Sequence, residues 1–390
     1  MITKWLLTTA LLPVLSGYAI AADSVKIGLI TTLSGPEAVM GNPMRDSANL
    51  ALSMLGGEIG GLPAEIVFGD DQQKPDLGRQ QAEKMLKKDK VNFITGMLGS
   101  NVLLAVYQQV VQSHTILISA NSGPHQLAAG MCSPYFFAMA SQNDEAPEAM
   151  GHYLSERGID DVYVMAPNYA AGHDMISGFK RGYTGKIAGE VYTTFGQLDY
   201  QAELSQIHAA KPKAVFVFYP GGMGIQFVKQ YAESGLKKEV PLYSVYTVDS
   251  STLEAVREAA LGNYDASFWG ADLDIPRSKE YLAAFRKEYK YTPPNYGAVT
   301  FDAIFAIDSA IKAVRGDLAN TRGMIAALEQ ANFPSVRGHF AFNTNHFPIE
   351  NFYLFQVQKT ADGKEFLKEQ QTIFKDHKDA YAPECHMTKE

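Results

Sequence analysis

Cysteine is nearly absent: Cys132 and Cys385 are the only two in 390 residues. That excludes a cysteine-dense disulfide scaffold, and two thiols so far apart lack the close partners a tetrahedral zinc site requires. The nine histidines are scattered without a pair at metal-ligand spacing. Positive charge is in deficit, with 34 Lys and Arg against 42 Asp and Glu and a formal net charge of −8. Without a basic cluster no nucleic-acid surface is expected. Beyond the first 21 residues no segment approaches the ~18 uninterrupted apolar residues of a membrane-spanning helix. GxSxG, HExxH and GxxxxGK[ST] are missing, so hydrolase, zincin and P-loop readings have no foothold. Gly221-Gly222-Met223-Gly224 sits between a strand and a helix, yet it lacks the third glycine of a dinucleotide turn. Asp70-Asp71 has no nearby third cation ligand and reads as a solvated turn. No metal and no cofactor are expected.

What is present begins with a leader. Lys4 precedes an apolar stretch from Trp5 to Ile20, interrupted by Thr8, Thr9, Pro13 and Ser16, and Ala19-Ile20-Ala21 supplies small residues two apart. These are the marks of a secretory signal peptide over residues 1–21, too broken for a membrane anchor. In an exported chain an even cysteine count invites a disulfide between Cys132 and Cys385, tying the carboxyl tail to the body.

From Val25 onward strand and helix patterns alternate. Strands are expected over 25–33, 64–68, 91–96, 115–119 and 135–140, with helices over 43–55, 76–88 and 102–111. A second series follows. Its strands lie at 161–166, 186–193, 214–219, 242–248 and 266–271, and its helices at 172–183, 200–210, 223–234 and 251–260. Repeated βα units predict parallel sheets covered on both faces, and two series predict two doubly wound lobes. Helices over 278–289, 296–314 and 321–331 come next, then two antiparallel strands over 338–342 and 352–358. The tail from 359 to 390 is polar, with Asp362-Gly363 as a turn. No low-complexity linker separates the lobes, so the chain is expected to cross between them more than once.

Two turns stand out. Gly96-Met97-Leu98-Gly99-Ser100-Asn101 and Ala120-Asn121-Ser122-Gly123-Pro124 each end a β-rich run and open the next segment. In a parallel sheet such turns lie at the carboxyl ends of strands, where these folds place ligands. Ser100 and Ser122 would offer hydroxyls beside unpaired backbone N–H groups, a cradle for a carboxylate. Serines that only cap helices would leave the same pattern.

The leader, Val25-Lys26-Ile27-Gly28-Leu29, Leu33-Ser34-Gly35-Pro36, Met40-Gly41, Asp70-Asp71, the two serine turns and Tyr219-Pro220-Gly221-Gly222 together resemble one family. It is the periplasmic solute-binding component of ABC importers, of the branched-chain amino-acid-binding type. The likeness covers essentially the whole chain after the leader and rests on order and spacing. It implies a type I periplasmic binding protein: an α/β chain with two doubly wound lobes, three crossovers and a ligand cleft between them. The lobes would comprise residues 22–142 with 273–336, and 143–272 with 337–390, the latter including the tail. It also implies no enzymatic activity, a monomer in the periplasm, a small-molecule ligand and an inner-membrane permease as partner.

Carried over by position, Ser100 and Ser122 would hold a ligand carboxylate, with Asn101, Ala120 and Asn121 beside them. Tyr169, Tyr219 and Tyr246 with Thr247 would face the cleft from the second lobe, and Met40 and Tyr296 would line the side-chain pocket. Amino-acid binders of this type place an acidic residue where this chain has Tyr246, with Asp249 three residues on. A buried ammonium without a carboxylate would cost several kcal/mol. The tyrosines suit a ring, although each could equally be ordinary packing, and Ser133-Pro134-Tyr135-Phe136-Phe137 also resembles the aromatic-acid branch of this family. An aromatic carboxylate, of benzoate or phenylpropenoate type, is therefore expected. The alternative is an aliphatic amino acid or amide with Asp249 pairing its ammonium. A sensor ectodomain or secreted enzyme on the same scaffold would need a tether or an activated nucleophile.

Overall fold

The computed structural model describes residues 24–387, so the leader read at residues 1–21 lies outside the described residues. The chain builds two sheets. The first contains β1 (Val25–Thr31), β2 (Glu58–Ile59), β3 (Leu62–Asp70), β4 (Phe93–Gly96), β5 (Ile116–Ser119) and β6 (Phe136–Ala138). They lie in the order β2-β3-β1-β4-β5-β6, parallel except for the short β2–β3 hairpin. Its connections form α1 (Ala38–Met54), α2 (Pro75–Lys84), α3 (Ser100–Gln112) and the single turn α4 (His125–Ala128). β4 and β5 are buried at every position, which is why they read as unbroken apolar runs rather than alternating ones.

The second sheet holds β7 (Asp161–Pro167), β8 (Lys186–Thr193), β9 (Ala214–Val217), β10 (Leu242–Val245), β11 (Tyr264–Ser267), β12 (Ala341–Phe342), β13 (Pro348–Lys359) and β14 (Glu365–His377). β7 to β11 are parallel, and β13 adds antiparallel to β11, with β12 and β14 paired to it. The covering helices are α5 (Glu145–Glu156), α6 (Ala170–Gly182), α7 (Gln201–Ala210), α8 (Gly221–Glu233) and the short α9 (Leu253–Val256). Three further helices, α10 (Pro276–Tyr289), α11 (Asn295–Ala313) and α12 (Thr321–Glu329), follow β11. α10 and α11 return to the first sheet's side: Tyr281 and Ser47 share a 2.8 Å hydroxyl contact, and Asp308 accepts the Gly60 N–H at 2.8 Å.

The chain thus crosses between the lobes three times, after β6, after β11 and before β12. Arg337 in the third crossing is buried between Asp302 at 3.3 Å and Glu350 at 2.9 Å. Its guanidinium lies over the rings of Phe268, from the second crossing, and Phe340. A disulfide joins Cys132 to Cys385, as the cysteine count suggested, and pins the tail beside the α4–β6 connection.

Three local expectations are corrected. The tail is not merely polar after its turn: residues 365–377 form β14, an edge strand whose charged outer face hides the β signal. The helix expected over 251–260 stops at Val256, because Arg257 takes a left-handed φ of +43° and a short 3-10 turn follows. α1 starts at Ala38 rather than Pro43; the proline lies inside the helix, which continues through it at the loss of one i→i−4 hydrogen bond.

Candidate functional site

Between the carboxyl ends of the two sheets lies a cavity of about 40 Å³. Its polar end is made by the turns after β4 and β5. β4 ends at Gly96 with φ +108°, and a Cβ there would collide with the Ile30 carbonyl, so the turn demands glycine. α3 then begins at Ser100 behind Gly99, whose missing side chain cannot cap it. The first N–H groups of α3 are left over by helix geometry and point to the cavity end, where the helix dipole favours an anion.

The two serines play different parts. Ser100 Oγ accepts from Asn143 Nδ2 at 3.1 Å, so its own proton remains available to the cavity. Ser122 Oγ donates to the Leu98 carbonyl at 2.9 Å, and Asn121 Nδ2 donates to the same oxygen at 2.7 Å. The Ser122 hydroxyl therefore holds the turn together. Asn143 belongs to the first crossing and also donates to Asp174 Oδ2 at 2.9 Å, while its Oδ1 accepts the Gly123 N–H at 3.0 Å.

Aromatic groups form the walls. Tyr169 precedes α6 and packs 4.8 Å from the Phe195 ring. Tyr246 follows β10 with φ +53°, a left-handed conformation unusual for a bulky residue and a mark of local strain. Its hydroxyl lies 3.1 Å from the Ser141 hydroxyl of the first crossing. Tyr296, in the first turn of α11, sits 2.6 Å from Ser251 Oγ. Burial holds all three phenols protonated, raising them above the usual tyrosine range. Met40, Leu98 and Tyr296 pack together at the side of the first lobe.

Of the residues expected at the site, Met40, Ser100, Asn121, Ser122, Tyr169, Tyr246 and Tyr296 line the cavity. Four do not. Tyr219 turns into the second lobe's core, 4.9 Å from Tyr200 and 5.1 Å from Phe227, with its hydroxyl on Thr193. Successive residues of an extended segment face opposite ways, and its neighbour Phe218 takes the cleft side. Thr247 is buried, accepting the Tyr219 N–H at 2.8 Å. Ala120 is packed beneath the floor with Met44 and Leu98, its N–H on Gly96. Asn101 stays off the lining, its Nδ2 donating to the Gln73 carbonyl at 3.4 Å.

Sequence reasoning missed Gln73, Asn143, Phe218, Phe268, Met175 and Asn295, which also line the cavity. Asn143 was visible only as helix-start chemistry, and nothing local marks the others. Asp249, the candidate ammonium partner, is absent from this lining. Its Oδ1 accepts from Ser251 N at 2.8 Å, Ser251 Oγ at 2.6 Å and Thr252 N at 3.1 Å, capping its own turn. Every side chain that does line the cavity is uncharged.

At the cleft rim Glu37, just before α1, is buried and faces the Gly221-Gly222 turn that opens α8. Burial pushes its carboxyl up to about 7, opposed by a hydrogen bond from the Gly222 N–H.

The profile of the family described as Periplasmic binding protein matches residues 24–364. A solute-binding protein of an ABC transporter from R. palustris, in complex with benzoate, superposes with a TM-score of 0.88 at 27% identity, covering 93% of this chain and 99% of that one. Another from Rhodopseudomonas palustris, in complex with 3,4-dihydroxy benzoic acid, gives 0.86 at 28% identity over 92% and 99%. The Leu/Ile/Val-binding protein homolog 6 of Brucella melitensis is 24% identical over 373 residues, 93% of this chain and 94% of its own. With its two-lobed fold and the cleft between the sheets, the chain belongs to the periplasmic binding protein family and is a solute-binding receptor of the ABC transport type.

Proposed function

We propose that the protein captures a small aromatic carboxylate, of benzoate or phenylpropenoate type, for an ABC permease of the inner membrane. The observation that carries this reading is the cavity lining itself. It combines an anion-favouring end at Ser100 and the start of α3 with aromatic walls from Tyr169, Phe218, Tyr246 and Phe268, and it has no charged side chain. An ammonium buried there would lack a counter-charge, at a cost of several kcal/mol. The benzoate and dihydroxybenzoate complexes of the two similar structures support the same class.

The ligand's carboxylate would be held by the Ser100 hydroxyl and the N–H groups around Ser100, Asn101 and Ser122, with Ala120 and Asn121 supporting the turn. The ring would lie against Tyr169, Tyr246, Met40 and Tyr296. Closing the lobes, 22–142 with 273–336 against 143–272 with 337–390, is a hinge motion that the ligand drives only through contacts made in the closed form. The receptor would act as a monomer in the periplasm, exported by its leader, and the closed form would be what the permease reads.

A second reading is an aliphatic amino acid. The name of the Brucella melitensis relative favours it, and so does Asp249, whose Oδ2 is buried without a hydrogen-bond partner. Isothermal titration against benzoate, 4-hydroxybenzoate, a hydroxycinnamate and leucine separates the two. Binding of one or more aromatic acids without leucine is expected, and tight binding of leucine alone overturns the proposal.

A further inference from the structure

Asp174 and His125 face each other from opposite lobes. His125 opens α4 over the first sheet, and Asp174 lies on α6 over the second. His125 Nδ1 is 2.6 Å from Asp174 Oδ1, and the His125 backbone N–H reaches Oδ2 at 3.2 Å. Asp174 is only 4% exposed, so its two oxygens have few alternatives to these partners. Its Oδ2 also accepts from Asn143 Nδ2 at 2.9 Å, and the same nitrogen donates to Ser100 Oγ at 3.1 Å.

This chain fixes the direction of every proton in it. A carboxylate accepts only, so it must face the amide nitrogen of Asn143, and the Gly123 N–H must face the amide oxygen. Asn143 cannot flip without setting its oxygen against Asp174. Ser100 therefore always receives a donor from Asn143 and must direct its own proton elsewhere, into the cavity.

We propose that Asp174 and His125 are positioning residues for the ligand's anionic group: joined across the closed cleft, they lock Asn143 so that Ser100 serves as a donor, and a protonated His125 strengthens that lock. This inference rests on the carboxylate reading of the same site. Opening the lobes separates His125 from Asp174, so protonation of the imidazole is coupled to closure and hence to ligand binding.

The surroundings agree in sign. The hydrogen bond from the imidazole to Asp174 is the largest influence raising His125 above the usual imidazole range; burial opposes it, and the charges of Asp174, Asp144 and Glu384 add to it. The Tyr381 ring packs 5.5 Å from the imidazole, and Arg181, the nearby cation, is paired with Asp144 and Glu148 at 2.9 Å. With the imidazole raised in the closed form, its contribution is complete below the open-form value of about 6.5 and is lost as pH rises through the closed-form value.

The test is isothermal titration of benzoate between about pH 6.5 and 8.5, in buffers of differing ionisation enthalpy that report proton uptake. The native protein takes up protons on binding, and its Kd weakens severalfold as pH rises. His125→Gln loses its share of the slope and of the uptake, and the double variant His125→Gln, Glu37→Gln binds with a flat profile and without uptake. Asp174→Asn loses the same His125 share of the slope and binds about tenfold more weakly, because an amide at 174 no longer dictates the Asn143 orientation. Glu37, raised to about 7, titrates at the lower end of this range, so Glu37→Gln removes its own share of the slope and keeps the part that His125 supplies. Benzoate binding by His125→Gln with native slope and proton uptake overturns the inference. Should leucine bind and benzoate not, the aromatic assignment fails, and the same titration with leucine, which shares the carboxylate, still decides the role of His125.

Discussion

The Leu98 carbonyl accepts the Ser122 hydroxyl at 2.9 Å, while the Ser100 hydroxyl across the same turn keeps its proton for the cavity. Two serines that look equivalent in the sequence are thus a structural brace and a ligand donor. Ser100→Ala should weaken benzoate binding by about 1.5–3 kcal/mol, the usual worth of a hydrogen bond to a charged group. Ser122→Ala should cost less affinity and more stability, because it leaves Leu98 with only the Asn121 amide. Titration calorimetry paired with thermal unfolding reads the difference, and equal affinity losses in both variants would contradict it.

Glu37 should make closure sensitive to acidity in a range that overlaps that of His125. Its carboxyl is raised to about 7 by burial, against an ordinary value near 4.5. The sign follows from linkage: a raised carboxyl favours the closed form below the ordinary value, and that contribution disappears as pH rises through about 7. Above that, closing must bury a charge. Glu37→Gln should therefore bind benzoate more tightly than the native protein at about pH 8 and show a flatter profile between about pH 4.5 and 7. Affinity measured across that range checks both statements.

Gly221 is the counterpart of Glu37 across the cleft. It has φ +58°, and a Cβ on it would collide with a Glu37 carboxylate oxygen. Gly221→Ala should cost about 1–2 kcal/mol for the left-handed backbone and hinder closure besides. Benzoate affinity should fall about tenfold or more while far-UV circular dichroism stays native. Small-angle scattering with saturating benzoate should show the variant remaining more open than the native protein.

Arg337 joins the crossings electrostatically. Its side chain is 4% exposed and is held by Asp302 and Glu350 beneath the Phe268 and Phe340 rings. Arg337→Gln leaves two buried carboxyls without a cation and should destabilise by about 3–5 kcal/mol. Burial already pushes Glu350 up to about 7. The loss should therefore shrink as pH falls and that carboxyl takes up a proton, which denaturant unfolding at two pH values would measure.

Much of this was legible from periodicity. The strands of both sheets are short apolar runs punctuated by glycine and serine, because parallel strands covered on both faces have no solvent side to show. The serine turns followed from where such strands end, and the walls at Tyr169, Tyr246 and Tyr296 from the resemblance to the family, position by position. What escaped depends on facing and on distance. Tyr219 and Phe218 differ by one step, and only the alternation at the strand's end decides which ring meets the ligand cavity. Asn143 and Asp174 acquire their roles through partners 43 and 31 residues away along the chain, beyond any local pattern. β14 hides because an edge strand with a solvated face is written in charged residues.

The tail offers a final test. Beyond β14 the chain leaves the second sheet, places Tyr381 against Asp144 at 2.6 Å, and ends bonded to Cys132 beside the first. The bridge spans a sequence separation of 253 residues, so its loss frees a very large loop in the unfolded chain. Loop-closure entropy puts that stabilisation at about 5 kcal/mol. The double variant Cys132→Ser, Cys385→Ser should unfold at a clearly lower temperature yet keep its benzoate affinity within about threefold, since neither sulfur lines the cavity. Tyr381 also packs against His125. If the tail's attachment were needed to hold His125 on Asp174, the double variant would lose the pH slope of binding as well; the hydrogen bonds to Asp174 come from His125 itself, and the slope should persist.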